Sequence, residues 1–183
     1  MGFHTFDPEK ADRLEDPSRF RFCSREELLG ALGTAPEHLV ELGSGTGFYS
    51  RELAPFFDRI SAVDIQPEMH ELFREQGVPD SVELVEASTD DLPFATESTD
   101  AAVSTMTIHE LPLAETLAEL WRLLQPDSPV VFVDWSADGH GEAGPPLDER
   151  HHLSTVTQAL EDAGFSVNRA VDRSETFLVS ATR

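Results

Sequence analysis

The chain has 183 residues, and its 35 acidic and 13 basic side chains give a formal charge of −22. This length suits one compact domain with a proper core. A charge of this sign repels phosphate backbones and anionic lipids, so nucleic acids and membranes are not expected as partners. The single cysteine, Cys23, excludes an internal disulfide and a cysteine cluster for a metal, and no other pattern in the sequence requires a metal.

The basic residues include only one lysine, Lys10. Extreme acidity with almost no lysine indicates adaptation to a cytoplasm of molar salt, where charge repulsion is screened over a few ångströms. We therefore expect a halophilic archaeal host. The N-terminal sequence lacks the basic flank and apolar stretch of a signal peptide, and no apolar run approaches the ~18 residues of a membrane helix. A cytoplasmic, acidic protein is predicted.

The residues before the first predicted strand read as short helical pieces interrupted at Pro8 and Pro17. We expect a single domain over residues 1–183. In it, residues 1–36 form a helical leader and residues 37–183 form the core.

Three glycines follow the first predicted strand, a short apolar run around residues 39–42. They stand at Gly43, Gly45 and Gly47, and helical character begins at residue 48. Such a bend requires backbone angles that a Cβ would forbid, and it lets another group approach the main chain closely. We expect that group to be a ligand, because free N–H groups at the start of the helix suit polar or anionic parts of a nucleotide-like molecule.

Two acidic residues narrow the class of ligand. A dinucleotide fingerprint would place its third glycine at position 48, which holds Phe48, and Glu41 would repel a pyrophosphate. Glu41 suits an amine-bearing ligand better. The next apolar run, residues 60–63, ends on Asp64, at a spacing that lets a carboxylate at the tip of the second strand bind a ribose diol.

The segment Glu41-Leu42-Gly43-Ser44-Gly45-Thr46-Gly47, followed by Asp64, resembles the first motif and the ribose-binding acid of the class I S-adenosylmethionine-dependent methyltransferases. The resemblance implies an α/β fold: a Rossmann-like, doubly wound, seven-stranded and mostly parallel sheet, with an antiparallel C-terminal strand and helices on both faces. It also implies S-adenosylmethionine as cofactor and S-adenosylhomocysteine as product. Residues 37–183 would be the cofactor-binding core.

The resemblance also assigns roles to residues of the cofactor site. Asp64 would hold the ribose hydroxyls, Ile65 would lie against the adenine or ribose, and Glu41 would favour the methionine ammonium. Ser88 stands where the family usually has an acid that holds the adenine amino group, and its hydroxyl accepts a weaker hydrogen bond. An aspartate two or three residues later is the alternative. The predicted cofactor-binding residues are Glu41, Gly43, Ser44, Gly45, Gly47, Asp64, Ile65, Ser88, Thr89 and Thr105.

The segment after the fourth predicted strand, residues 105–110, should emerge at the carboxyl edge of the sheet, close to the transferred methyl group. His109 is its one side chain with chemistry near neutral pH, and it is the candidate catalytic base or substrate-orienting group. The alternative is a structural histidine that hydrogen-bonds the backbone where a helix begins. The Asn-Pro-Pro-aromatic motif of adenine and glutamine N-methyltransferases is absent, which again argues against nucleic acid.

The remaining elements complete the predicted sheet. Helices are predicted over residues 48–57, 67–76, 114–124 and 153–163, and strands over residues 59–63, 81–85, 101–104 and 129–134, with a closing antiparallel pair in residues 165–171 and 176–183. A loop over residues 136–147 is expected at the rim of the site.

The C-terminal half carries a narrower resemblance. The stretch ELWRLLQPDSPVVFVDW resembles the helix, turn and strand of methyltransferases of the ubiquinone and menaquinone biosynthesis type. A small subgroup of that type shares Val133-Asp134-Trp135, Gly144-Pro145-Pro146 and Arg150.

The whole resemblance predicts an enzyme that methylates a small molecule, which the sequence does not identify, as a monomer or homodimer. In many such enzymes the leader folds over the cofactor as a lid, and Phe3, His4 and Phe6 would then line the substrate side; a mobile terminus is the alternative. Two other functions stay open: a non-catalytic S-adenosylmethionine-binding protein and, less favoured, an NAD(P)-dependent oxidoreductase with a similar sheet.

Overall fold

The computed structural model describes residues 7–33 and 37–183. Seven strands form one sheet: β1 His38–Leu42, β2 Arg59–Asp64, β3 Val82–Glu86, β4 Ala101–Thr105, β5 Pro129–Trp135, β6 Ser166–Asp172 and β7 Thr176–Thr182. Their spatial order is β3-β2-β1-β4-β5-β7-β6. Strands β1 to β5 are parallel, and β7 lies antiparallel between β5 and β6. The predicted doubly wound, Rossmann-like sheet is therefore confirmed.

Five α-helices flank this sheet in the described residues: α1 Arg25–Leu32, α2 Phe48–Leu53, α3 Pro67–Gln76, α4 Leu113–Leu123 and α5 Leu153–Asp162. The helix predicted over residues 48–57 is shorter than expected, because α2 gives way to a 3-10 turn, Ala54–Phe56. Pro55 explains the break, since its ring lacks an N–H and crowds the preceding turn. Within residues 7–33 and 37–183, none of the helices has the length and apolar character needed to cross a bilayer.

The described part of the leader, residues 7–33, is largely helical and starts new elements at its prolines. Two 3-10 helices, Pro8–Glu15 and Pro17–Arg21, precede α1. Ser24 caps α1, because its Oγ accepts a hydrogen bond from the backbone N–H of Glu27 at 3.2 Å. The lid residues predicted from the resemblance, Phe3, His4 and Phe6, lie outside the described residues.

Successive side chains along the central strands point to opposite faces of the sheet, and apolar side chains on both faces produce two apolar layers. In β5, Val131 and Val133 face the layer that contains α1, α2 and α3, whereas Val130 and Phe132 face the layer that contains α4 and α5. Each fully buried side chain of this size contributes about 1.5–3 kcal/mol relative to an exposed one. The two layers hold the parallel strands rigidly and leave their carboxyl ends open.

The sheet changes winding direction beside β1. Strand β1 pairs with β2 on one side and with β4 on the other, and Leu42 is level with Val63 and Ser104 in these two pairings. The segments that follow β1, β2 and β4 therefore emerge side by side at one edge. In doubly wound folds this switch point is where ligands bind.

Candidate active site

The glycine loop after β1 is shaped mainly by contacts within the protein. Gly43 and Gly47 have φ values of 68° and 81°, which favour glycine. A Cβ on Gly43 would lie 2.3 Å from Cγ2 of Thr107, and one on Gly47 would lie 2.2 Å from Cζ of Phe73. At both glycines a side chain of the protein takes the space that a Cβ would need, so packing alone requires glycine there. The close approach of a ligand to the main chain of this loop stays a prediction.

The loop is tied to β2 by the carboxylate of Asp64. Its Oδ2 accepts a hydrogen bond from the backbone N–H of Gly45 at 2.8 Å, and its Oδ1 accepts one from that of Gln66 at 2.9 Å. Burial raises the pKa of Asp64, although these two N–H groups act to lower it. The carboxylate is thus held at the tip of the strand with further lone pairs available.

Glu41 is a buried acid beneath the loop. Its side chain is almost completely buried, and its carboxylate accepts a hydrogen bond from the hydroxyl of Ser50. Burial raises the pKa of Glu41 to about 7, against the opposing effects of the Ser50 hydrogen bond and the positive charge of Arg19. Glu41 therefore changes its charge near neutral pH.

One cavity joins these groups, with about 910 Å³ of space including its open mouth. The predicted residues that line it are Glu41, Gly43, Ser44, Gly45, Asp64, Ile65, Ser88, Thr89 and Thr105. The cavity wall does not include Gly47 or His109 among the described residues that form it. Gly47 contacts Phe73 instead, as described above.

The leader supplies part of the cavity wall through Leu14 and Arg19, two residues that no sequence pattern indicated. The guanidinium of Arg19 donates a hydrogen bond to the carbonyl of Leu14 at 2.6 Å, and both residues line the cavity. It also lies over the rings of Phe48 and Tyr49, at 5.0 and 5.1 Å from their centroids. Glu15 binds Arg51, so the leader is anchored to α2. No local pattern in the leader signals these long-range contacts.

His109 lies behind the wall, in contact with the end of β5. Its backbone N–H donates to Oδ2 of Asp134 at 2.8 Å, and its Nδ1 lies 2.9 Å from Oδ1 of the same carboxylate. Burial lowers the pKa of His109, but the hydrogen bond and negative charge of Asp134 outweigh it, and the net shift is upward. The Nε2 atom lies 3.8 Å from Oε1 of Glu110, which does line the cavity.

Comparison with known proteins identifies the family. A family model described as a methyltransferase domain matches residues 40–132, about half of the chain. A solved S-adenosylmethionine-dependent methyltransferase from Aquifex aeolicus is 30% identical, with a TM-score of 0.87 over 97% of this chain and 99% of that one. The chain belongs to the S-adenosylmethionine-dependent methyltransferases.

Curated relatives of this methyltransferase are longer. The malonyl-[acyl-carrier protein] O-methyltransferase of Serratia marcescens is 28% identical over 136 residues, which cover 70% of this chain and 52% of that protein. The demethylmenaquinone methyltransferase of Clavibacter sepedonicus is 33% identical over 104 residues, which cover 56% and 42%. The chain thus spans about half or less of the length of these relatives, and their names give different methyl acceptors.

The cavity of this methyltransferase fits its cofactor. Ser44 lines the wall, and its buried Oγ has no hydrogen-bond partner within the part of the chain that the structure describes. A buried hydroxyl of this kind usually pairs with a ligand or water. Asp64 presents a carboxylate for a diol, and Ile65 is 47% exposed beside it, as an apolar surface for an adenosine.

The predicted adenine contact is less simple. The hydroxyl of Ser88 donates to the carboxylate of Asp90, and Thr89 shares a hydrogen bond of 2.8 Å with Thr116. Ser88 therefore brings Asp90 close to the cavity wall. Asp90, one of the two aspartates that could replace the usual adenine-binding acid, is therefore hydrogen-bonded to Ser88.

The loop over residues 136–147 does not form the rim of this cavity, because none of these described residues lines it. It is packed around Arg150 and Trp135 instead. The Arg150 side chain donates to the carbonyl of Pro145 at 2.9 Å, and its guanidinium lies 5.5 Å from the centroid of the Trp135 ring. The expected position of the loop is thus corrected: the subgroup motif builds a structural contact beyond β5.

Proposed function

We propose that this methyltransferase transfers the methyl group of S-adenosylmethionine to a small-molecule acceptor. The observation that carries the proposal is a single cavity whose wall joins Asp64 at the tip of β2, the glycine loop after β1 and the end of β4 at Thr105. The topology of the sheet places such a cavity at the switch point, where a nucleoside can lie across several strand ends.

Named side chains would hold the cofactor. Asp64 would accept hydrogen bonds from the ribose hydroxyls, since Gly45 and Gln66 use only part of its acceptor capacity. Glu41 would favour the methionine ammonium, because it is a buried acid under the loop. The unpartnered hydroxyl of Ser44 would bind another polar group of the same ligand.

The chemistry needs little from the protein beyond position. S-adenosylmethionine supplies an electrophilic methyl group on a sulfonium sulfur. The protein must hold the acceptor in line with that methyl group and keep water out. Positioning of this kind accelerates a reaction strongly, and no covalent intermediate with the protein is needed. Leu14 and Arg19 of the leader line the cavity, where they would help to exclude water.

The nature of the acceptor, the subtype and the host are parts of the same proposal. The end of β4 and the short segment after it, residues 105–107 and 110–112, line the cavity and would face the acceptor, which suits a small molecule. The Val133-Asp134-Trp135 motif and the similarity to a demethylmenaquinone methyltransferase support the ubiquinone and menaquinone type. The acidic composition supports a halophilic host and a cytoplasmic enzyme that binds neither nucleic acid nor membrane. Unfolding should therefore be easier in dilute buffer than in molar KCl; the reverse would contradict the halophilic host.

Titration calorimetry in molar KCl tests the cofactor. S-adenosylmethionine, S-adenosylhomocysteine and NADH are compared on the wild type, on Asp64→Ala and on Asp58→Ala, an exposed acid just before β2 that serves as control. We expect both adenosyl ligands to bind, NADH to fail, and binding to be lost only in Asp64→Ala. Binding of NADH alone would replace the proposal with an oxidoreductase. Cofactor binding without transfer to any acceptor class would favour the non-catalytic binding protein.

A further inference from the structure

The cavity has two chemically different ends. Strand ends cross it in the order β3, β2, β1 and β4. Asp64 and Ser88 line the end at β2 and β3, whereas Glu110 lines the end beyond β4. If the ribose lies at Asp64 with adenine toward β3, the reactive end of the cofactor lies toward β4. Glu110 is the acidic side chain at that end of the described wall.

A chain of polar contacts connects Glu110 to the interior. Asp134 is completely buried and binds both the backbone N–H and the Nδ1 of His109. The imidazole is itself only 8% exposed, and its Nε2 lies 3.8 Å from Oε1 of Glu110, whose side chain is 24% exposed. The order from core to cavity is Asp134, His109 and Glu110. An acceptor in the cavity would contact Glu110 and not His109, because Glu110 lines the cavity and His109 does not.

We propose that Glu110 is a catalytic residue that binds the N–H or O–H of the methyl acceptor and takes its proton, and that His109 and Asp134 are positioning residues behind it. This inference rests on the proposed function and narrows the acceptor to an amine or a hydroxyl compound. The predicted role of His109 changes accordingly, from the base itself to the group that orients the base.

The step balances without another reactant. The acceptor's nitrogen or oxygen lone pair forms the bond to the methyl carbon, the carbon–sulfur bond breaks, and its electron pair remains on sulfur as a neutral thioether. Glu110 receives the proton that leaves the acceptor and later releases it to water. The positive charge that the sulfur loses leaves as the acceptor's proton, so charge balances. No atom needs an external oxidant or reductant, and no metal is required.

A different role for Glu110 makes a distinct prediction. A carboxylate at this end of the cavity could act on the positive charge of the sulfonium instead of on the acceptor. S-adenosylmethionine has that charge without an N–H group at the methyl position. Sinefungin carries a protonated amine there, and S-adenosylhomocysteine has neither. The three ligands therefore separate recognition of a hydrogen-bond donor from recognition of charge.

Calorimetry with these three ligands tests the proposal on the wild type and Glu110→Gln. Glu115→Gln is the matched control, since Glu115 is an exposed acid in the first turn of α4. We expect Glu110→Gln to weaken sinefungin about tenfold or more, because a charge-assisted hydrogen bond is lost, and to change S-adenosylmethionine less than about threefold. S-adenosylhomocysteine binding and the thermal midpoint should stay unchanged, which excludes misfolding.

Equal losses for sinefungin and S-adenosylmethionine would overturn the proposal and assign Glu110 to the sulfonium. Unchanged sinefungin binding would overturn it as well. Both results leave the proposed function intact, because that function fails on different outcomes: the wild type binds neither S-adenosylmethionine nor S-adenosylhomocysteine, or it binds them without transfer to any acceptor class.

Discussion

The ring of Phe73 in α3 packs against the Cα of Gly47, so closely that a Cβ on Gly47 would lie 2.2 Å from Cζ of the ring. Phe73 is completely buried and belongs to the apolar layer that also contains Phe48. The third glycine of the family motif is thus required by packing between the loop and a helix. Its loss should damage the fold first and the cofactor site second.

The variant Gly47→Ala should destabilise the protein by about 2 kcal/mol or more, because the residue has φ of 81° and no room for a methyl group. Gly30→Ala is the control. Gly30 lies in α1 with nothing within 4 Å of the position that a Cβ would take, and the change should stabilise the protein by about 0.5–1 kcal/mol. Urea unfolding in molar KCl measures both. A stable Gly47→Ala variant that fails only to bind cofactor would show that the glycine serves the ligand.

Local sequence patterns predicted the parts of the site that follow directly from a strand. The glycine loop after β1 and Asp64 at the tip of β2 could be placed from spacing alone, because parallel strands end at one edge. The partner of Gly47 could not, since Phe73 belongs to another helix. Arg19 was missed for the same reason, because its place in the wall depends on how the leader packs on Phe48.

At the end of β4, residue type alone did not identify the side chain that faces the cavity. The sequence predicted that residues 105–110 lie close to the cavity, and residues 105–107 and 110 line it, whereas residues 108 and 109 do not. Histidine was selected there for its ordinary pKa, but which side chain faces the cavity is decided by the 3-10 turn Ile108–Glu110 and by Asp134. Glu110 was visible in the sequence as the next residue, without a signal that ranked it above His109.

Glu41→Gln should stabilise the protein at pH 8 and have little effect at pH 4. The pKa of Glu41 is raised from 4.5 to about 7 in the folded state. A raised pKa means that the stability it contributes is fully present below pH 4.5 and is lost as pH rises through about 7, on the order of 3 kcal/mol. Glutamine keeps an acceptor for Ser50 and removes the charge. Urea unfolding of both proteins across this pH range measures the difference.

Two outcomes separate this explanation from a general effect of the substitution. A stability difference that is the same at both pH values would contradict the titration of Glu41. Asp58→Asn, at an exposed acid, should show no such pH dependence. Binding of S-adenosylmethionine should weaken in Glu41→Gln if the carboxylate favours the methionine ammonium.

Asp134→Asn should lower the pKa of the His109 imidazole, because the neutral amide no longer stabilises the charged ring. In the wild type this pKa lies above 6.5, so the interaction stabilises the fold fully below the unfolded value and is lost as pH rises through the folded one. An NMR titration of the imidazole Cε1–H resonances measures the shift. Asp138→Asn is the control, since Asp138 pairs with the exposed His152 at 2.9 Å. An unchanged His109 pKa in Asp134→Asn would contradict the geometry.

Arg150→Lys should lower the thermal midpoint by more than about 5 °C and leave S-adenosylhomocysteine affinity unchanged. The side chain of Arg150 is 1% exposed, and its guanidinium lies 3.3 Å from the carboxylate of Glu175 and donates hydrogen bonds to the carbonyls of Ser136 and Pro145. A lysine ammonium cannot reproduce this planar set of bonds. Arg59→Lys, in an exposed pair with Glu83, should have almost no effect.

The cofactor measurement decides what the Arg150 motif is for. The loop that Arg150 holds lies outside the cavity wall, so a destabilised variant should still bind S-adenosylhomocysteine as the wild type does at a temperature below its midpoint. Weaker binding with an unchanged midpoint would show instead that this loop serves the cofactor. In that case the match to the subgroup would reflect ligand recognition, whereas the contacts of Arg150 indicate that it reflects the stability of the region beyond β5.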